Sequence, residues 1–389
     1  MYTNFPENLG NPQWFVDARF GMFIHFGLYS LPARHEWVMT LEEIEAENYQ
    51  KYFDNFNPDL FEPKELAKLA KKSGFKYVVF TAKHHDGFAM WDSKYTDYKV
   101  TNTPYKKDIM KEVIDAFRSE GIEIGLYYSL IDWNHADFKI DGYHPDRNRV
   151  DLEKESQKDM TKYQQFIKNQ ITELLTEYGD ISYLWFDFSY ENKFKDHLKG
   201  KGKNDWDSEN LEKLILELQP NIILNDRLDL KRGVTTHEQY QRAKSSSEDK
   251  VVWEGCQTLN GSWGYHRDND NFKTSEMIIK MLIDTVSNDG NLLLNIGPNA
   301  RGQIDKTSRK LLGEIGEWMG LHSKSIYKSE GSTVTPPADC RYTIRDNKLY
   351  LHIFSWPYRT LTLKNIPKKV KYAQLLNDYS ELKVIEAGV

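Results

Sequence analysis

The residues best suited to chemistry in this chain follow short apolar runs that are typical of buried β-strands. Asp187 ends the run Tyr183-Leu-Trp-Phe-Asp187. Burial of an ionised carboxylate costs free energy, so an Asp at a strand end is either a cap for the next loop or a functional group. Four other predicted strand ends also carry polar or aromatic groups: His25, His84-His85, Tyr127-Tyr128 and Asn225-Asp226-Arg227. Five such ends predict one shared site.

The elements that position these residues alternate between strand and helix. The apolar spacing predicts helices near residues 63–72, 107–119, 153–178, 208–218, 274–287 and 305–321. The strands between them lie near 76–81, 122–128, 183–187, 222–224, 251–254 and 290–297. Repeated alternation gives parallel pairing with right-handed crossovers. About eight units precede residue 325, so the predicted fold class is α/β, a (β/α)8 TIM-like barrel. The alternative, an open doubly wound sheet, lacks the support of a GxGxxG or Walker motif.

The pattern changes near residue 330, where it predicts a second domain. Three segments alternate with period two: Tyr342–Ile344, Lys348–Phe354 and Thr360–Leu363. We therefore expect a catalytic barrel over residues 1–328 and a small antiparallel β domain over 329–389. About 60 residues is little for an independent sandwich. Either this domain packs on the barrel, or the chain stops before its last strands.

Composition excludes several classes of function. The 389 residues carry a formal net charge of −6 with 28% charged residues, so we expect neither nucleic acid nor a membrane as a partner. Cys256 and Cys340 fit no metal or disulfide spacing. The N-terminus lacks the basic and apolar regions of a leader, so we expect a cytoplasmic protein, or a secreted or periplasmic one whose leader has been removed. Aromatic residues reach 13%, with ten Trp, and aromatic faces stack on the C–H faces of sugars.

Seven motifs, in this order and spacing, resemble the glycoside hydrolase family 29 α-L-fucosidases. They are Gly21-Met-Phe-Ile-His-Phe-Gly-Leu-Tyr-Ser30, His35-Glu-Trp37, Thr81-Ala-Lys-His-His-Asp-Gly-Phe88, Trp185-Phe-Asp187, Asn225-Asp-Arg227, Trp253-Glu254 with Ser262-Trp-Gly-Tyr265, and Asn291-Leu-Leu-Leu-Asn-Ile-Gly-Pro298. The resemblance spans residues 12 to 325. One departure is Phe188, because the family more usually continues Asp-Gly at that point, and this bears on the preferred leaving group.

The resemblance implies a retaining, exo-acting fucosidase that needs no cofactor and acts on a fucosylated oligosaccharide or glycoconjugate. It does not imply an oligomeric state. Asp187 matches the nucleophile, and Trp263 matches a wall of the pocket. The residues that match fucose contacts are His25, Glu36, Trp37, His84, His85, Tyr128, Trp185 and Arg227.

Three glutamates compete for the role of general acid and base. Glu238 lies in Thr235-Thr-His-Glu-Gln-Tyr240, which resembles the variable loop that carries this residue in some family members. Glu254 follows Trp253 at a strand end, where it could act on the substrate or hold a residue that does. Glu36 is the third carboxylate, and we expect it mainly to contact the sugar or a loop. Glu238 could also be a solvated loop residue.

Two other functions remain open at this point. A fucose-binding protein without turnover could use the same pocket, although binding alone does not require a carboxylate at Asp187. A metal-dependent hydrolase could use His84-His85-Asp86 as ligands. Adjacent residues on a strand point to opposite faces, and no HxH or HExxH spacing accompanies them, so we predict no metal.

Overall fold

The computed structural model of the protein describes residues 2–190, 198–240, 242, 250–357 and 359–385. The strands are β1 Phe20–Ile24, β2 Tyr77–Lys83, β3 Glu123–Ser129, β4 Tyr183–Asp187, β5 Ile223–Leu224, β6 Thr235–Glu238, β7 Trp253–Thr258, β8 Asn291–Ile296, β9 Glu330–Gly331, β10 Cys340–Arg345 and β11 Lys348–Ile353. The helices are α1 Gln13–Ala18, α2 Val38–Leu41, α3 Ala46–Asp54, α4 Pro63–Ser73, α5 Ile109–Ser119, α6 Leu152–Gln157, α7 Met160–Glu177, α8 Lys203–Trp206, α9 Ser208–Leu218, α10 Ser275–Ser287 and α11 Lys306–His322.

Eight parallel strands form the predicted barrel, in the order β5-β4-β3-β2-β1-β8-β7-β6. The two end strands meet at a parallel bridge between Asn225 and Val234. There the Val234 N–H donates to the Leu224 carbonyl at 2.8 Å, and the Asp226 N–H donates to the Val234 carbonyl at 3.0 Å. These bonds close the sheet, so all eight C-terminal strand ends lie around one rim.

The connection between β5 and β6 departs from the expected strand–helix unit. It contains only a one-turn 3-10 helix, Asp226–Leu228. Residues 235–238, predicted as a loop, form strand β6 and pair with β7. The sequence signal is weak because β6 is partly exposed and lacks an apolar run. Glu238 therefore lies at the C-terminal end of a barrel strand.

Two further predictions are corrected. The single helix expected near 153–178 is two helices, because the Asp159 side chain accepts the Thr161 N–H and starts α7 afresh. The segment Thr360–Leu363 is not a strand; instead β9 pairs with β10 to complete a three-stranded antiparallel sheet. That sheet packs on the barrel, where Arg341 contacts Asp284 of α10 at 2.6 Å.

In the part of the chain that the structure describes, no helix is both long enough and apolar enough to cross a membrane.

The barrel seam requires glycine at position 233. Gly233 has φ +94°, and a Cβ there would lie 2.5 Å from the Leu224 carbonyl oxygen. Gly121 provides a matched control, since its φ is +70° but a Cβ added there would meet nothing within 4 Å. Left-handed backbone costs an L-residue about 1–2 kcal/mol at either site. Of these two sites, only Gly233 also has a clash between the added Cβ and the backbone.

We predict that Gly233→Ala lowers the free energy of unfolding by at least ~1 kcal/mol more than Gly121→Ala does, because overpacking adds to the backbone strain. Denaturant unfolding of both variants measures the difference. Equal losses in the two variants would show that the seam tolerates the added methyl group.

Candidate active site

Asp187 ends β4, and its carboxylate is held by three donors. The Tyr127 hydroxyl donates to Oδ2 at 2.8 Å, while Arg227 Nη1 and the Phe188 N–H donate to Oδ1 at 3.1 and 3.0 Å. Burial raises the pKa of Asp187 to about 7, against the opposing charge of Arg227, and the negative charge of Glu238 adds to the rise. The carboxyl group can therefore exchange its proton near neutral pH.

Arg227 joins two carboxylates at the C-terminal edge of the barrel. Its Nη2 donates to Glu238 Oε2 at 2.9 Å, and its Nε donates to Thr236 Oγ1 at 2.8 Å. The guanidinium carbon lies 5.2 Å from the centre of the Trp185 ring. Although burial lowers the pKa of Arg227, the charges of Asp187 and Glu238 raise it above its usual value. The Glu238 side chain is 42% exposed, whereas that of Asp187 is 11% exposed.

Glu254 lies inside the barrel, at the start of β7, and not at its C-terminal end. Its carboxylate is fully buried and accepts hydrogen bonds from the Tyr77 hydroxyl at 2.6 Å and from Trp185 Nε1 at 3.0 Å. The Tyr77 ring reaches this position across Gly21, where a Cβ would lie 2.2 Å from the ring. Burial raises the pKa of Glu254 to about 7. Both carboxylate oxygens thus hold other side chains beneath the site.

The His25 tautomer follows from its neighbours. Asn295 Nδ2 donates to the Trp263 carbonyl at 2.7 Å, so Asn295 Oδ1 faces His25 Nδ1, 2.7 Å away. An oxygen there needs a donor, so Nδ1 carries the proton and Nε2 is left as an acceptor. Burial lowers the pKa of His25 to about 3, and the ring is neutral at physiological pH. The Trp263 ring packs on the imidazole, with centroids 5.3 Å apart.

The tautomer of His85 follows from its neighbours in the same way. Ser129 Oγ donates to the Ile131 carbonyl at 2.7 Å and therefore accepts from His85 Nδ1, also at 2.7 Å. His85 Nε2 is then an acceptor, and it lies 3.8 Å from Asp187 Oδ2. Burial lowers the pKa of His85 well below its usual value. The ring thus offers a lone pair beside Asp187 to a hydroxyl donor.

His84 and His85 follow the end of β2, so the expected divergence of neighbouring strand residues does not apply. Their rings lie 4.0 Å apart, and His84 also stacks on Tyr127 at 5.4 Å with an interplanar angle of 13°. His84 Nδ1 is buried and has no hydrogen-bond partner among the described residues. Within those residues, no cluster of three His, Cys, Asp or Glu side chains has the arrangement of a metal site.

Glu36 and Trp37 reach the site from the loop after β1. Glu36 is buried, and its Oε2 accepts the Gly264 N–H at 2.8 Å. Burial raises the pKa of Glu36 to about 8, although this N–H favours the ionised form. Oε1 lies 3.2 Å from His35 Nδ1 but does not accept a hydrogen bond from it, because that nitrogen accepts the Trp37 N–H. The Trp37 ring packs on His85 at 4.8 Å.

The prediction for Tyr128 is corrected by one residue. Its hydroxyl donates to Gln170 of α7 at 2.8 Å, and Lys83 Nζ lies 4.6 Å from the centre of its ring. Tyr128 therefore faces the outer helices, and Tyr127 faces the site. In the parallel register Tyr127 pairs with Trp185, and paired residues share a face of the sheet, which explains why Tyr127 and not Tyr128 lies beside Asp187.

Sequence reasoning also missed polar residues that orient the site: Thr236, Ser129 and Asn295. Asn295 interrupts the apolar strand β8, and a buried polar residue needs a partner, which could have identified it. The other predicted contacts lie in contact with one another or with Asp187: His25, His84, His85, Trp37, Trp185, Trp263 and Arg227. Glu36 accepts the N–H of Gly264, the residue after Trp263.

The sequence is similar to those of known proteins. The family described as Alpha-L-fucosidase matches residues 4–324. The putative alpha-L-fucosidase of Caenorhabditis elegans is 31% identical over 363 residues, which cover 84% of this chain and 69% of that protein. The plasma alpha-L-fucosidase of Homo sapiens is 29% identical over 399 residues, covering 92% of this chain and 79% of that protein.

Solved structures agree with the sequence relatives. Alpha-L-fucosidase isoenzyme 1 from Paenibacillus thiaminolyticus superposes with a TM-score of 0.90 at 42% identity, covering 96% of this chain and 90% of that one. A trapped covalent intermediate of a GH29 alpha-L-fucosidase from Bacteroides thetaiotaomicron gives a TM-score of 0.86 at 30% identity, covering 100% of this chain and 94% of that one. The chain therefore belongs to the alpha-L-fucosidase family of glycoside hydrolases.

Proposed function

We propose that the chain is a retaining exo-α-L-fucosidase that releases terminal α-L-fucose from oligosaccharides or glycoconjugates by double displacement. The observation that carries the proposal is the Arg227 guanidinium, which donates one hydrogen bond to Asp187 and another to Glu238. A retaining glycosidase needs two carboxyl groups roughly 5 to 5.5 Å apart. The shared guanidinium supports the pairing of Asp187 with Glu238, because it keeps their two carboxyl groups close together.

In the first step, a carboxylate oxygen of Asp187 forms a bond to the anomeric carbon while the bond to the leaving oxygen breaks. Tyr127 and Arg227 hold the carboxylate by hydrogen bonds that favour its ionised, nucleophilic form. The leaving oxygen takes a proton from Glu238. Protonation of the leaving oxygen in this step is the task of a general acid.

In the second step, Glu238 takes a proton from water, whose oxygen attacks the anomeric carbon and releases Asp187. Support for a covalent intermediate comes from the Bacteroides thetaiotaomicron relative, which was trapped in that state with a 2-fluoro-fucosyl fluoride in a glutamate-to-glutamine mutant. Two inversions at the anomeric carbon give net retention. Glu254 is assigned to support Trp185, since both of its oxygens accept hydrogen bonds inside the barrel.

The sugar hydroxyls are proposed to bind the neutral imidazoles. His25 and His85 each present an unprotonated Nε2, because Asn295 and Ser129 accept from their Nδ1 atoms. A sugar without a matching hydroxyl leaves such an acceptor unpaired, at a cost of about 1–3 kcal/mol for each group. This supports selection of a terminal fucose over sugars with other hydroxyl configurations.

We predict that Asp187→Gly lowers kcat for an aryl α-L-fucoside by ~1000-fold or more, about 4 kcal/mol of barrier, because the attacking oxygen is lost. Added azide can occupy the space and attack from the same face, which yields a fucosyl azide of inverted configuration. Steady-state kinetics and NMR of the product test both outcomes. Activity of the variant within about tenfold of wild type would remove Asp187 from the role.

We predict that Glu238→Ala loses most of its activity on natural fucosides and much less on activated aryl fucosides, because good leaving groups need little protonation. Azide should then give a product of retained configuration. Glu254→Gln is the comparison variant, and its losses should be similar on both substrate types. If Glu254→Gln shows the leaving-group dependence and Glu238→Ala behaves as wild type, the two roles are reversed.

We predict a pH effect that separates Tyr127 from Tyr128. With the pKa of Asp187 raised to about 7, kcat/KM should rise with pH through that region as the nucleophile ionises. Tyr127→Phe removes a donor that favours the carboxylate, so the acidic limb should move to higher pH. Tyr128→Phe removes a hydroxyl bonded to Gln170 and should leave the limb in place. Equal shifts in both variants would contradict the assignment of Tyr127.

A further inference from the structure

The residue after the nucleophile has an unusual backbone conformation. Phe188 has φ +72°, in the left-handed region that bulky residues rarely adopt. Glycine would occupy this position without strain. Strained residues persist where the surrounding structure holds them, and they concentrate at functional sites. An aromatic residue at this strained position therefore indicates a functional role for Phe188.

Phe188 is the centre of a cluster of half-buried aromatic rings that we name the aromatic rim: Trp37, Tyr143, Phe188 and Tyr190. Ring centroids from Phe188 to the other three lie at 5.4, 5.1 and 5.7 Å. The rings come from the loops after β1, β3 and β4, and they pack edge to face with interplanar angles of 61°, 68° and 85°. Each ring keeps part of its surface exposed, so the cluster is not ordinary core.

The rim adjoins the reacting atoms. The Phe188 N–H donates to Asp187 Oδ1, and its ring packs against His85 at 4.9 Å with an angle of 88°. His85 Nε2 in turn lies 3.8 Å from Asp187 Oδ2. On one side of His85 are the buried groups proposed to bind fucose, and on the other are half-exposed aromatic faces. A substrate longer than one sugar needs a second contact surface beside the fucose pocket, and the rim is a surface of this kind in contact with His85.

We propose that Phe188, with Tyr143 and Tyr190 of the aromatic rim, forms the subsite for the leaving group and selects leaving groups that present the apolar C–H face of a pyranose ring, while Trp37 lies at the boundary with the fucose contacts. This inference rests on the proposed function. Flat aromatic rings contribute apolar contact area at low conformational cost, and sugars offer matching C–H faces. Phe188 is then a specificity-determining residue, whose ring contacts the leaving group.

The test compares two substrates that share the fucosyl group and differ in the leaving group. An α-L-fucosyl hexose disaccharide can contact the rim, whereas α-L-fucosyl fluoride has a leaving group of one atom. The variants are Phe188→Gly, Phe188→Leu and Phe188→Tyr. Phe188→Gly suits the left-handed backbone but loses the ring contacts, so Tm is measured for all three variants to show that they fold. Phe188→Leu keeps apolar bulk without a flat face, and Phe188→Tyr keeps the flat face.

We expect Phe188→Gly and Phe188→Leu to lower the ratio of kcat/KM for the disaccharide to kcat/KM for the fluoride by tenfold or more. Phe188→Tyr should keep that ratio within about threefold of wild type. An equal fall on both substrates would mean that Phe188 acts through Asp187 or His85, and no change on either would mean that the rim does not touch the leaving group. Each of these results overturns the proposal. Lack of wild-type turnover on both substrates would instead overturn the proposed function.

Discussion

One cation organises the site. The Arg227 guanidinium donates to Asp187 and Glu238 and lies over the Trp185 ring. Two carboxylates close together at a partly desolvated edge repel each other, and a shared guanidinium offsets both the repulsion and the loss of water. Its position depends on barrel closure, because the short β5–β6 connection that carries Arg227 also contains the bridge from Asn225 to Val234. Closure of the strand seam and placement of the two carboxylates therefore depend on the same short connection.

Beneath the cation, a series of buried contacts supports the proposed nucleophile. Glu254 accepts from Trp185 Nε1, and Trp185 stacks on Tyr127 at 5.6 Å with an angle of 20°. Tyr127 then donates to Asp187. Groups positioned in this way need little rearrangement as charge develops in the transition state. Burial also keeps His25 neutral, so it can accept hydrogen bonds from hydroxyl groups.

Much of this arrangement can be predicted from sequence, because the alternation of strands and helices predicts the barrel and the polar residues at strand ends indicate its site. Asp187 and His25 stand out as polar residues after apolar runs. The failures have physical causes. Strand β6 is too short and too exposed to show an apolar pattern, so its sequence favours a loop at Glu238. Tyr127 and Tyr128 are hard to tell apart because the two neighbours differ only in which face of β3 they occupy, and that depends on register with Trp185.

The central claim is that Asp187 forms the bond to the sugar while Glu238 serves the proton transfers. The most direct measurement is mass-spectrometric peptide mapping after the enzyme is treated with a 2-fluoro-fucosyl fluoride, which slows release of the covalent intermediate. We predict one 2-fluoro-fucosyl group on the peptide that contains Asp187, with fragment ions that place it on that carboxylate. A label on Glu36, Glu238 or Glu254, with none on Asp187, would contradict the account.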